Sequence, residues 1–137
     1  MRHELFESFA GFDDFLVYLA VALVYLGVFL AVYVRVTPYP EIRLIRQGNV
    51  AAGYSLSGAV LGFAVPLASA IEHSVNLVDM ALWALIAMLV QVCAYVAVKV
   101  MIPSIARDIA EGHTAQGLFL GALSLAVGLL NAACMSY

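Results

Sequence analysis

The chain has 137 residues, of which 65% are hydrophobic and 11% charged, with a net charge of -3 and a mean hydropathy of +1.02; ordinary soluble domains carry about 25% charge. Such a composition cannot cover a globule with polar surface, and with no basic run it excludes a nucleic-acid partner. The expected solvent is the lipid bilayer and the expected fold class is an all-α membrane protein. Four apolar blocks, Phe15–Val36, Ala51–Ile71, Val78–Ile102 and Ala115–Met135, each approach or exceed the roughly 20 residues that cross a ~30 Å hydrocarbon core as helix. Strands of a barrel would alternate over about ten residues instead.

Residues 1–14 read as a short acidic tail, and 15–137 as a single four-helix transmembrane domain. The tail carries Glu4, Glu7, Asp13 and Asp14 where a signal peptide would carry basic residues, so helix one is expected to be retained. Asp13 or Asp14 is placed to cap it. Thr37-Pro38-Tyr39-Pro40 stops helix one. Ile42 and Ile45 then give a one-sided stripe expected to form a short interfacial helix. Gly48 suits the left-handed turn that ends such a helix, and Asn49 suits the cap of the next.

Helix two places Ser55, Gly58, Gly62, Pro66 and Ser69 on one face, with Ser57 beside them. Pro66 has no amide for the Gly62 carbonyl, so the helix should bend and expose one acceptor. The following loop holds Glu72, His73 and Asp79 and no Lys or Arg. In helix three, Gln91 falls near mid-span, roughly level with Ser57, Gly58 and Ser124, and should point into the bundle and hydrogen-bond there. Ile102-Pro103-Ser104 ends helix three, Ile105 and Ile109 mark a second interfacial helix, and Gly112 and His113 form the second turn and a weaker cap. Helix four carries a one-face stripe of Gly117, Gly121, Ser124, Gly128 and Asn131. The pairs Gly58 with Gly62 and Gly117 with Gly121 let backbones approach closely where lipid gives no hydrophobic drive.

Arg35, Arg43, Arg46, Lys99 and Arg107 lie around the loops after helices one and three. The positive-inside bias puts both loops in the cytoplasm and both termini outside. Arg43, Ile45, Gly48, Ala51, Gly53, Leu56, Leu61 and Ala68 align with Arg107, Ile109, Gly112, Ala115, Gly117, Leu120, Leu125 and Ala132. The expectation is two parallel two-helix repeats, residues 15–72 and 78–136, each with its interfacial helix.

The stretch GNVAAGYSLSGAVLGFAVPLASAI from Gly48 to Ile71, the segment WALIAMLVQ from Trp83 to Gln91, and the ending Gly128-Leu129-Leu130-Asn131-Ala132-Ala133-Cys134-Met135-Ser136 resemble the YjfL-type bacterial inner-membrane family, a domain of unknown function. The resemblance covers most of the chain after the acidic tail. It implies two linked copies of one hairpin in an inner membrane and no settled activity. His113 departs from the Asn typical of the family at that point.

No Asp, Glu, Lys, Arg or His falls in the middle of a span, which argues against an energised transporter. His3 and His73 are expected outside and His113 inside, so no pair meets at haem-ligand spacing. Glu72, His73 and Asp79 are read as a solvated loop and not as a metal site. Cys93 and Cys134 differ in depth by roughly 15 Å and read as buried small hydrophobes. No nucleophile constellation or phosphate loop is present, so the chain is expected to be no enzyme and to need no cofactor. Two readings of function stand. One is a non-enzymatic module that self-associates as a homo-oligomer, or docks other membrane proteins, through its glycine faces. The other is a small oligomeric channel or carrier with a narrow polar path near Ser57, Gln91, Ser124 and Asn131.

Overall fold

Seven helices make up the computed structural model, which describes residues 1–135: α1 (Arg2–Ala10), α2 (Phe12–Val36), α3 (Glu41–Arg46), α4 (Val50–His73), α5 (Leu77–Met101), α6 (Ile105–Ala110) and α7 (Thr114–Cys134). The expected domain end at 137 and second-repeat end at 136 lie outside the described residues, as do Ser136 and Tyr137. No strand occurs among the described residues. Arg2–Val36, Val50–His73, Leu77–Met101 and Thr114–Cys134 are long and apolar enough to cross a membrane.

Local chemistry sets the ends of these helices. The acidic tail is itself helical over α1 and leads through Gly11 into α2. Gly11 occupies the N-cap with no side-chain bond, so the cap expected of Asp13 or Asp14 is not made; both sit in the first turn, where their charge still complements the helix dipole. Asn49 caps α4, its Oδ1 accepting from the Ala52 amide at 3.0 Å, and Asn76 caps α5 by accepting from the Asp79 amide at 2.9 Å. His113 stands at the N-cap of α7 and makes no side-chain cap bond. Both six-residue helices α3 and α6 close on glycines at φ +84°, Gly48 and Gly112. The next amides, of Asn49 and His113, reach back to the Leu44 and Asp108 carbonyls at 2.9 Å, which is the Schellman arrangement.

Packing centres on α4 and α7, which make the most extensive contact in the fold. A Cβ at Gly58 would fall on the backbone of Gly121, at Gly117 on that of Ala51, at Gly121 on that of Tyr54, and at Gly128 on that of Gly62. The two small-residue faces therefore meet each other within one chain. α5 packs against both members of the pair, and α2 leans on α4 and α5. Phe29 of α2 stacks on Phe63 of α4 with ring centroids 4.5 Å apart, and Tyr33 meets Tyr95 of α5 edge-on at 6.1 Å. Phe29 and Tyr33 are the buried residues of α2; Phe15, Leu16, Leu19, Leu23, Val24 and Val28 stay exposed. Lipid tails are as apolar as these side chains, so the exposure is tolerated in a bilayer. Cys93 and Cys134 are exposed and not buried, because they sit on the faces of α5 and α7 opposite the buried ones.

Candidate buried polar site

Among the described residues one carboxylate is fully enclosed by this packing, while Asp108 of α6 keeps 8% exposure and accepts from the Ser104 hydroxyl at 2.8 Å. Pro38 and Pro40 turn the chain between α2 and α3 so that Thr37, Tyr39 and Glu41 point inward while Arg35, Arg43 and Arg46 stay exposed. Glu41 is 0% exposed and Tyr39 4%. The Thr37 hydroxyl can donate to Glu41 Oε1 or back to the Tyr33 and Val34 carbonyls at 3.2 and 3.3 Å. A hydroxyl has one proton, so it serves one of these acceptors at a time. Burial pushes the Glu41 carboxyl up to about 7 from its ordinary 4.5, with the Thr37 bond pulling less strongly the other way. Burial, and then the neighbouring Glu41 charge, raises the Tyr39 phenol as well.

Around Glu41 the side chains of Tyr33, Tyr39 and Tyr95 lie within mutual electrostatic reach. Tyr39 turns toward Ser55 of α4, and Tyr33 toward Ser124 of α7. Deeper in the bundle Gln91 Nε2 donates to the Gly62 carbonyl at 3.0 Å and to the Ser124 carbonyl at 3.2 Å. The Gly62 carbonyl is the acceptor that Pro66 leaves without an amide, so Gln91 repairs the proline break from the neighbouring helix. Among the described residues, Glu41 Oε2, the hydroxyls of Tyr33, Tyr39, Tyr95 and Ser124, Gln91 Oε1 and Asn131 Nδ2 are buried with no hydrogen-bond partner. At helical rise, Glu41 marks the loop end, Ser55 and Tyr95 lie about 8 Å in, Gln91 and Ser124 about 15 Å in, and Asn131 about 26 Å in.

Several residues stand elsewhere than the sequence reading placed them. Ser57 is exposed, in an open apolar groove with Leu30, Ile42, Ile45, Val60 and Leu61, because it lies two positions from Ser55 on the outer face of α4. Its place in the polar row falls to Ser55. Gly58, Gly62, Gly117, Gly121 and Gly128 serve the α4–α7 contact, with Pro66 buried beside it. Asn49 also links the two loops, its Nδ2 donating to the Ile109 carbonyl at 2.9 Å. Of Glu72, His73 and Asp79, the last two are held locally, His73 Nδ1 lying 2.9 Å from the Ser69 carbonyl and Asp79 Oδ2 accepting from the Val75 amide at 3.2 Å, while Glu72 is exposed. Asp108, Glu111 and His113 come together instead, with ligand atoms within 4.8 Å of one another, Glu111 and His113 being exposed.

Sequence reasoning missed Glu41, Thr37, Tyr33, Tyr39 and Tyr95 as site residues, and read Ser55 only as part of the small-residue face of helix two. A usable signal was present, since Tyr33, Thr37 and Glu41 recur every fourth residue. In the register that pairs Gly48 with Gly112, these positions face Ala97, Met101 and Ile105, and Ser55 faces Phe119. These four polar positions thus have no polar counterpart in the second half of the chain.

Comparison with known proteins agrees on the setting. The chain is 35% identical over 133 residues to the "UPF0719 inner membrane protein YjfL" of Escherichia coli (strain K12), covering 97% of this chain and 98% of that protein. The protein of the same name from Escherichia coli O157:H7 gives the same figures. No solved structure matches the chain. The family described as Domain of Unknown Function (DUF350) matches residues 6–135. With four helices able to span a membrane and a relative of nearly equal extent named as an inner membrane protein, the chain belongs to the DUF350 family.

Proposed function

We propose that the chain is a non-enzymatic inner-membrane module that passes a small polar species, water, a proton or a monovalent cation, along the row from Glu41 through Tyr39, Ser55, Tyr95, Tyr33, Gln91 and Ser124 toward Asn131. The observation that carries this reading is the series of buried polar atoms without a close hydrogen bond at successive depths, the Ser55 hydroxyl among them donating to the Ala52 carbonyl at 3.1 Å. An unpaired polar group in an apolar interior costs a few kcal/mol, so a row of them implies a partner supplied from outside the chain. The row lies within a single chain and needs no protomer interface. No nucleophile or cofactor enters the reading.

Orientation follows from the basic loops: both sit in the cytoplasm, the termini outside, and Glu41 at the inner end of the row. A periplasm-active reporter fused after Tyr137 is expected to give signal, and a cytoplasm-active one none. The equal six-residue lengths of α3 and α6 and the matching glycine turns support the parallel repeat, with both short helices at the inner headgroup region. Self-association or docking of other membrane proteins is a second reading, supported by the lipid-facing length of α2; the glycines, already engaged inside the monomer, would not serve it.

The test is flux. Purified protein in vesicles is expected to raise water, proton or alkali-ion permeability above that of protein-free vesicles. Ser124→Val, which removes the buried hydroxyl that Tyr33 turns toward and keeps the helix, is expected to lower it. No increase for any of the three species would overturn the reading.

A further inference from the structure

Glu41 is the buried carboxylate of the fold interior for which no cation is at hand. Arg35, Arg43, Arg46 and Lys99, the basic residues of the surrounding elements, are all exposed. Thr37, at the end of α2, meets Glu41 directly, and Tyr33 of α2, Tyr39 of the turn and Tyr95 of α5 are the titratable groups within electrostatic reach of it. All of them offer oxygen. Among the described residues Glu41 Oε2 and all three phenolic oxygens are fully enclosed without a close hydrogen bond, Tyr39 being turned toward Ser55 and Tyr33 toward Ser124.

We infer that Glu41, with the oxygens of Thr37, Tyr33, Tyr39 and Tyr95, forms a buried binding site for one dehydrated monovalent alkali cation, taken up in exchange for a proton. Three considerations carry this. A buried carboxylate must be neutralised, by a proton or by a cation. A proton completes one lone pair, whereas a cation draws on several oxygens at once, and several are unpartnered. An all-oxygen donor set suits hard cations, and a single carboxylate matches a single positive charge; a divalent ion would leave net charge buried in an apolar bundle. The exchange balances as written: the Glu41 carboxylic acid and a free cation give the carboxylate–cation pair and one released proton.

The site is the inner end of the row proposed above as a path and rests on that reading, yet binding and passage are read by different measurements. Thermal unfolding of the detergent-solubilised full chain at about pH 8.5 in LiCl, NaCl or KCl is compared with choline chloride at equal ionic strength. At least one alkali cation is expected to raise Tm by about 5 °C or more at saturation. The rise should vanish at about pH 5.5, where the carboxyl is protonated. Glu41→Gln should abolish the cation response, while Glu7→Gln, on the exposed helix α1, should retain it. A second measurement needs no variant: adding the same salt to weakly buffered wild-type protein near pH 7 should release up to about one proton per chain, and choline chloride none. Equal Tm in all four salts together with no proton release would overturn the inference, as would an undiminished cation response in a folded Glu41→Gln chain. Cation binding without flux would sink the path and leave the site; flux without binding would do the reverse.

Discussion

A carboxyl group held at about 7 in the folded chain and near 4.5 when unfolded binds its proton more tightly in the folded state. Between those two values the folded chain carries the extra proton, so stability falls as pH rises. In choline chloride, Glu41 should therefore contribute its full effect below about pH 4.5 and lose it progressively up to about pH 7, at a cost on the order of 3 kcal/mol. Glu41→Gln should flatten that part of the curve. Chemical unfolding in detergent across this range checks both, and a stability that instead rises toward neutral pH would contradict the burial argument. Glu41 was not legible as a site residue because it lies in a loop by hydropathy, and loop carboxylates are ordinarily solvated. Its burial depends on α3 packing against α4, and its electrostatic neighbour Tyr95 is distant in sequence. Gln91 was legible, since an amide at mid-span must point inward. Its acceptor, the Gly62 carbonyl, followed from Pro66 in principle, but the pairing of α5 with α4 had to be known before the two could be joined.

Among the elements, α4 depends most on its neighbours. Its proline removes one internal hydrogen bond, and Gln91 of α5 supplies the substitute at 3.0 Å. Gln91→Leu should then destabilise the fold by about 1 to 2 kcal/mol, because it strands a carbonyl in an apolar interior. In a Pro66→Ala background, where residue 66 regains its amide, the same change should cost measurably less. A double-mutant cycle on Tm or denaturant midpoint reads the coupling, and strictly additive effects would show that Gln91 does not repair the break. Asn49 and His113 differ in the way their chemistry requires, Asn49 making the side-chain cap and His113 none. The turns before them were readable from Gly48 and Gly112 alone, because the left-handed φ of +84° is a local property. The start of α2 was less so: Asp13 and Asp14 are good capping residues, but the helix continues back to Phe12 and leaves them in its first turn.

At the scale of the whole molecule, the α4–α7 contact holds the bundle, and its glycines leave no room for side chains between the two backbones. Gly121→Leu should force the pair apart and lower Tm by about 5 °C or more, while the particle size measured in detergent stays that of the wild type. A dissociating particle that keeps its Tm would mean the glycines join protomers instead. By itself the sequence determined the membrane setting, the approximate spans, the glycine turns between α3 and α4 and between α6 and α7, and the carbonyl freed by Pro66. Each is decided over a few neighbouring residues: lipid selects long apolar helices by local hydropathy and demands local satisfaction of the backbone. Only the tertiary structure decided that the glycine faces of α4 and α7 meet each other, that Ser57 faces outward while Ser55 faces in, and that Tyr33, Tyr39, Glu41 and Tyr95 share one interior. Lipid offers no preference among apolar helix faces, so the choice of partners rests on shape and hydrogen bonding between segments far apart in the chain.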